Sequence, residues 1–138
     1  MGAAIKMTEA YLDSKNFRYS EVKDGTALKL GIGGLGNKGR MDIIVFFDDD
    51  DGAVALRSFD LCTFGPNRRE KMYEVCSDLN ARFRWVKFFV DEQDNTLTVA
   101  DDGVVQLDTV GAEVFELVMR MASIVDEGYP EIMKAIWG

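Results

Sequence analysis

Gly31-Ile32-Gly33-Gly34-Leu35-Gly36 matches G-x-G-x-x-G letter for letter and follows a stretch of strand character, so a dinucleotide site is the first chemistry to test. That fingerprint works when its turn opens a helix whose N-terminal amides meet a pyrophosphate. Here Asn37-Lys38-Gly39-Arg40 leads into Met41-Asp42-Ile43-Ile44-Val45, which has the pattern of a strand. The Walker spacing fails too, since no Lys followed by Ser or Thr stands directly after the second glycine of the run. Two readings of Gly31 to Gly39 remain: a flexible hairpin loop, or a nest of glycine amides that binds a small anionic ligand or nucleotide with help from Lys38 and Arg40.

Asp48-Asp49-Asp50-Asp51-Gly52 raises calcium, but with Gly52 at the sixth position of a helix-loop-helix site the first ligand would be Phe47 and the twelfth Ser58. A solvated acidic hairpin tip, which also discourages edge-to-edge strand pairing, fits better, with weak cation binding as the alternative. Asp91, Glu92 and Asp94 read as one turn and Asp101-Asp102-Gly103 as another. Catalytic use of these carboxylates would require them to meet in a tuned environment. The chain has no histidine, which removes the usual general base near neutral pH, imidazole metal sites and every Ser-His or Cys-His nucleophile pair. Neither a catalytic residue, a metal site nor a cofactor site is assigned, and an enzyme is not expected.

The totals narrow the partners. A formal net charge of −8 works against phosphate neutralisation, and no basic stripe interleaves with aromatics, so nucleic acid is not expected. No apolar run approaches the ~20 residues of a membrane span, and no basic-then-apolar leader is visible, so a cytoplasmic location is expected. Cys62 falls in a strand and Cys76 on an apolar helical stripe, where packing accounts for both.

The elements that must position these residues follow from periodicity. Residues 1–138 read as one α+β domain. Met72, Val75, Cys76, Leu79 and Phe83 recur at spacings of three and four, giving a one-sided helix from Asn67 to Phe83, with Asn67 and Glu70 placed as a capping box after Pro66. Trp85 to Val90 and the returning Leu97 and Val99 form a hairpin. Before them come a helix from Ala3 to Lys15 stopped by Asn16, and four strands: Phe17–Val22, Ala27–Ile32, Met41–Phe47 and Ala53–Cys62. Asp24-Gly25 and Asp51-Gly52 supply hairpin turns, so the strands should form an antiparallel meander. After a brief extended piece, Val104–Leu107, a long helix is expected from Asp108 or Thr109 to Glu127, stopped by Gly128, and a short terminal helix starts at Pro130.

This order, helix, four strands, helix, two strands, helix, resembles the YbjN-like family of proposed bacterial sensory-transduction regulators. The residues that carry the likeness are Tyr11-Leu12, Leu79-Asn80, Lys87-Phe88 with Val90-Asp91, and Tyr129-Pro130 with Trp137. The resemblance implies a fold similar to that of type III secretion chaperones, non-catalytic dimers that bind extended segments of other proteins. It therefore implies a protein-binding regulator or chaperone-like adaptor that offers an apolar helical surface or a sheet edge.

The long C-terminal helix suggests where. Val114, Val118, Met121 and Val125 claim the side toward the sheet, leaving Phe115, Met119 and Ala122 as a second apolar stripe. A two-turn terminal helix would cover only part of it, so Phe115, Met119 and Ala122 are the candidate protein-interface residues and a homodimer is expected.

Overall fold

A computed structural model describes residues 2–138. In chain order it contains α1 (Ala3–Ser14), β1 (Ser20–Val22), β2 (Ala27–Leu35), β3 (Gly39–Phe47), β4 (Ala53–Ser58), a 3-10 turn (Pro66–Arg68), α2 (Arg69–Arg82), β5 (Lys87–Asp91), β6 (Thr96–Val104), a second 3-10 turn (Leu107–Thr109) and α3 (Val110–Trp137). The six strands form one antiparallel sheet in the order β1-β2-β3-β4-β6-β5, the expected meander with the later hairpin joined to β4 through β6. The fold is α+β.

Strand alternation sets the inside. Leu28, Val45, Leu56 and Asp101 lie in register across four strands, and Leu30 with Ile43 and Phe88 with Val99 share that face. The apolar members are fully or almost fully buried. On the same side α3 packs against β2, β4 and β6, while α1 and α2 pack against α3. Glycine permits two of these approaches: a Cβ on Gly111 would sit 2.4 Å from Tyr11 Cβ of α1, and one on Gly128 would sit 3.1 Å from Leu79 Cδ2 of α2. Gly128 therefore does not stop the helix. The two predicted C-terminal helices are one helix of 28 residues with Pro130 inside it, because burial of Gly128 and Ile132 on either side of the proline holds the chain helical.

Other predicted boundaries move as well: β1 begins at Ser20 rather than Phe17 and β4 ends at Ser58 rather than Cys62, which leaves Cys62 outside the strand. β6 runs through Asp101-Asp102-Gly103, since pairing with Val54, Ala55 and Leu56 outweighs the turn propensity of that tripeptide. Most of the predicted glycine loop is strand, with a register shift between Ile32 and Leu35, and the turn itself is only Gly36-Asn37-Lys38. The capping box is absent: the 3-10 turn precedes α2, whose start has no side-chain cap. Asn16 does end α1 region in left-handed backbone (φ 55°), with Phe17 N–H donating to Leu12 O at 2.9 Å.

Two consequences are measurable. Leu79 is fully buried, so Leu79→Ala should lower stability by about 2–5 kcal/mol in denaturant melts while exposed Asp78→Ala leaves the midpoint nearly unchanged. Gly128→Ala should be costly alone and cheaper in the Leu79→Ala background, since its methyl enters the space Leu79 vacates; strict additivity would contradict this packing. Glu9 on α1 is raised from 4.5 to about 7 by desolvation, by a hydrogen bond shared with Glu21 and by the charges of Glu21 and Asp13. Its protonated form is favoured by folding, so the stability it contributes is full below about 4.5 and is lost as pH rises toward 7. Denaturation midpoints should fall over that window, and Glu9→Gln should flatten the fall.

Candidate functional surface

The glycine-rich turn meets a partner inside its own chain. Asp126 of α3 accepts from the backbone N–H groups of both Asn37 and Lys38 through Oδ1, each at 2.8 Å. The Asn37 side-chain amide donates to the Asp126 carbonyl at 2.9 Å. That carbonyl is the one an α-helix would pair with the N–H of residue 130, and Pro130 has none. Lys38 Nζ lies 5.1 Å from the centre of the Tyr129 ring. The amides that could have formed an anion nest are thus filled by a protein carboxylate, and the same turn repairs the hydrogen bond that proline removes. The acidic β3–β4 tip is also used internally: Asp51 Oδ1 accepts from Ala4 N–H at 3.2 Å, placing a carboxylate at the N-terminus of α1. Among the described residues no group of three or more His, Cys, Asp or Glu converges as a metal site.

A second constellation lies between α3, β6 and the segment after α2. Asp101 points to the helix side of the sheet, with a side chain only 3% exposed, and pairs with Arg120 at 3.1 Å. Trp85 covers the pair: the Arg120 guanidinium carbon is 4.1 Å from the centre of its ring. Arg120 Nε is buried without a hydrogen-bond partner. Trp85 is 55% exposed and holds φ at 65°, so the predicted strand begins two residues later, at Lys87. None of these roles was visible from spacing: Arg120 had the place of a solvent-facing charge, Asp101 of a turn residue and Trp85 of a strand residue. A tryptophan next to the end of a polar-faced helix was the only signal.

The predicted interface stripe separates. Ala122 is 1% exposed and belongs to the core. Phe115 is half-buried, edge-to-face with Phe17 at 5.3 Å and 6.1 Å from Tyr11, with Lys15 Nζ 5.5 Å from its ring centre. Cover for both comes from within the chain, because the segment after α1 reaches α3. Met119 remains exposed, one residue before Arg120.

The later sheet edge is closed. Asn80 of α2 donates through Nδ2 to Phe88 O at 2.9 Å and accepts from Phe88 N–H at 2.7 Å, taking the place of a neighbouring strand on β5. Lys87 Nζ donates to the carbonyls of Asn80 and Phe83 at the end of α2, while Arg69 and Tyr73 hold Asn95 and Glu92 in the β5–β6 turn. Leu79-Asn80 and Lys87-Phe88 thus have a shared physical role.

With that geometry in place the comparisons are informative. A family model described as "YbjN: Putative bacterial sensory transduction regulator" matches residues 5–132. The chain belongs to the YbjN family. The crystal structure of YbjN from E. coli, described as "a putative transcription regulator", superposes with a TM-score of 0.64 over 91% of each chain at 17% sequence identity. At that identity the likeness shows the fold. No curated protein matches in sequence. The YbjN family is described as a regulator, not as an enzyme. The thiols of this member are consistent with a structural use: both cysteines are unpaired, and burial pushes Cys62 up to about 11 and Cys76 up to about 12, away from the nucleophilic thiolate. Among the described residues no helix is long and apolar enough to cross a membrane.

The filled nest makes a prediction. Asp126→Ala should cost about 1–2 kcal/mol and speed hydrogen exchange at the Asn37 and Lys38 amides, whose acceptor it removes. Titration calorimetry of the wild type with millimolar ATP, NAD or GTP should give no binding heat; a saturable signal abolished by Lys38→Ala would show instead that ligand displaces Asp126.

Proposed function

We propose that this YbjN-family protein is a non-catalytic regulator that binds another protein through a surface centred on Trp85, Arg120 and Met119. The observation that carries the reading is the exposed Trp85 ring stacked on an arginine that is itself tied to a buried aspartate. Trp and Arg dominate binding hot spots, and Met is enriched at interfaces. A ring already fixed by stacking loses little freedom when a partner covers it. The left-handed backbone at Trp85 costs a non-glycine residue roughly 1–2 kcal/mol, and the fold holds that conformation while presenting the ring to solvent.

The family description and that of the E. coli structure both speak of regulation. A regulator that read DNA directly would need a basic groove-facing element, and a formal charge of −8 opposes one. Contact with a protein meets the same role without that cost. The nucleotide alternative loses support because the turn amides already have an acceptor in Asp126.

Affinity capture from the native host with quantitative mass spectrometry tests the reading. Trp85→Ala and Met119→Glu should each deplete the same captured protein at least tenfold while circular dichroism stays native and Asp78→Ala captures it normally. Equal capture by Trp85→Ala and wild type would remove the basis for this surface.

A further inference from the structure

Trp85 sits in a tight turn between α2 and β5. Val86 N–H donates across it to Arg84 O at 2.7 Å, and with Trp85 at a φ of 65° this is the rarer, strained form of the three-residue turn. Its flanks are fixed: Val86 is fully buried, and the Phe83 carbonyl accepts from Lys87 Nζ at 2.8 Å. Arg84 and Trp85 are both exposed, so the turn presents a cation and an aromatic ring side by side. Two guanidiniums lie against that ring, Arg120 at 4.1 Å and Arg84 at 5.8 Å from its centre.

Stacking engages the flat face of a guanidinium and leaves its in-plane N–H donors free for an acceptor. Arg120 donates to Asp101 through Nη2, while Nη1 has no acceptor among the described residues and, unlike Nε, is open to solvent. No described carboxylate lies within ion-pair distance of Arg84. The neighbouring cations are occupied: Arg82 pairs with Glu131 at 2.7 Å, and Lys87 Nζ donates to the carbonyls of Asn80 and Phe83. Of the carboxylates, Asp101 is buried and already paired. Glu116 stands one helical turn before Arg120 on α3 and Glu127 two turns after it, both exposed and neither in ion-pair distance of Arg84 or Arg120. Two guanidinium edges beside one exposed tryptophan are therefore left without an acceptor.

We propose that the protein bound at this surface presents an acidic side chain beside an apolar one, the carboxylate meeting the open edges of Arg84 and Arg120 while the apolar neighbour covers Trp85. The inference rests on the Trp85 surface being the binding surface and adds the chemistry of what binds there. Guanidinium–carboxylate hydrogen bonds are charge-assisted and, with the planar fork of arginine, two-pronged. Next to a ring that a partner covers, water is excluded and the pairing strengthens. In a chain of net charge −8 an acidic segment is repelled from most of the molecule, so two unpaired guanidinium edges also decide where it lands.

Selection of a random peptide library on the full chain supplies the probe. The enriched peptides are synthesised and titrated into Trp137→Phe protein, in which Trp85 is the only tryptophan. Peptides with Asp or Glu next to an apolar residue should be enriched and should shift Trp85 fluorescence to saturation. Replacing their acid by its amide, or Arg84 by Gln, should weaken binding at least tenfold with native circular dichroism, and Glu116→Gln should tighten it. Arg120→Gln alone strands the buried Asp101, so Arg120 is tested in the Arg120→Gln/Asp101→Asn double variant, which should also weaken binding at least tenfold. Peptides that shift Trp85 fluorescence but carry no acid, or that bind Arg84→Gln and the double variant as tightly as wild type, would overturn the acidic specificity and leave the Trp85 surface standing. Acidic peptides that bind Trp85→Ala as tightly as wild type would overturn both.

Discussion

A six-stranded sheet with one buried face needs a cover as wide as itself; here α3, which lies over β2, β4 and β6 while α2 packs against β5, must remain continuous through a proline. At 1.5 Å per residue its 28 residues span about 42 Å. Val110, Val114, Val118, Met121, Val125, Ile132 and Ile136 are buried along that length, on both sides of Pro130. Had the helix ended at Glu127, Ile132 and Ile136 would have lost their place in the core and α2 its contact at Gly128. The missing proline N–H leaves one carbonyl free, and Asn37 takes it. The β2–β3 turn, which has the letters of a nucleotide motif, is accordingly part of how the helix stays whole.

Polar side chains do the joining elsewhere as well. Asn80 closes the β5 edge, Lys87 caps the end of α2, and Asp51 reaches the start of α1 from a hairpin tip. Each satisfies backbone groups that a helix end or strand edge leaves open, and each is worth on the order of 1 kcal/mol net. Their sum is small beside the hydrophobic term, but they fix which element lies next to which. With Asn80 paired to both backbone groups of Phe88, that position of the β5 edge is not open to another strand.

The family likeness and the physical reading support one another at particular residues. Tyr11 lies where Gly111 lets α1 approach α3, and Tyr129-Pro130 stands beside the Asn37 contact. These residues hold elements together in this chain. Trp85 and Met119, by contrast, keep much of their surface exposed while Trp85 stacks on Arg120.

By itself the sequence determined the α+β class, the order of elements, the meander and the one-sided α2, because those follow from local periodicity and turn chemistry. The stripe Met72, Val75, Cys76 and Leu79 is buried as its spacing requires. Tertiary structure decided the rest. Whether Gly128 and Pro130 end a helix depends on what Leu79 and Asn37 offer from elsewhere; whether Asp101-Asp102-Gly103 turns or pairs depends on β4. Phe115 and Ala122 share a stripe with Met119, yet the chain after α1 and the core cover them and leave Met119 bare. Asp101, Arg120 and Trp85 are far apart along the chain and meet only because β6, α3 and the end of α2 converge. Periodicity reports which side of an element is apolar; which residue then faces water is set by neighbours distant in sequence, and no local pattern encodes them.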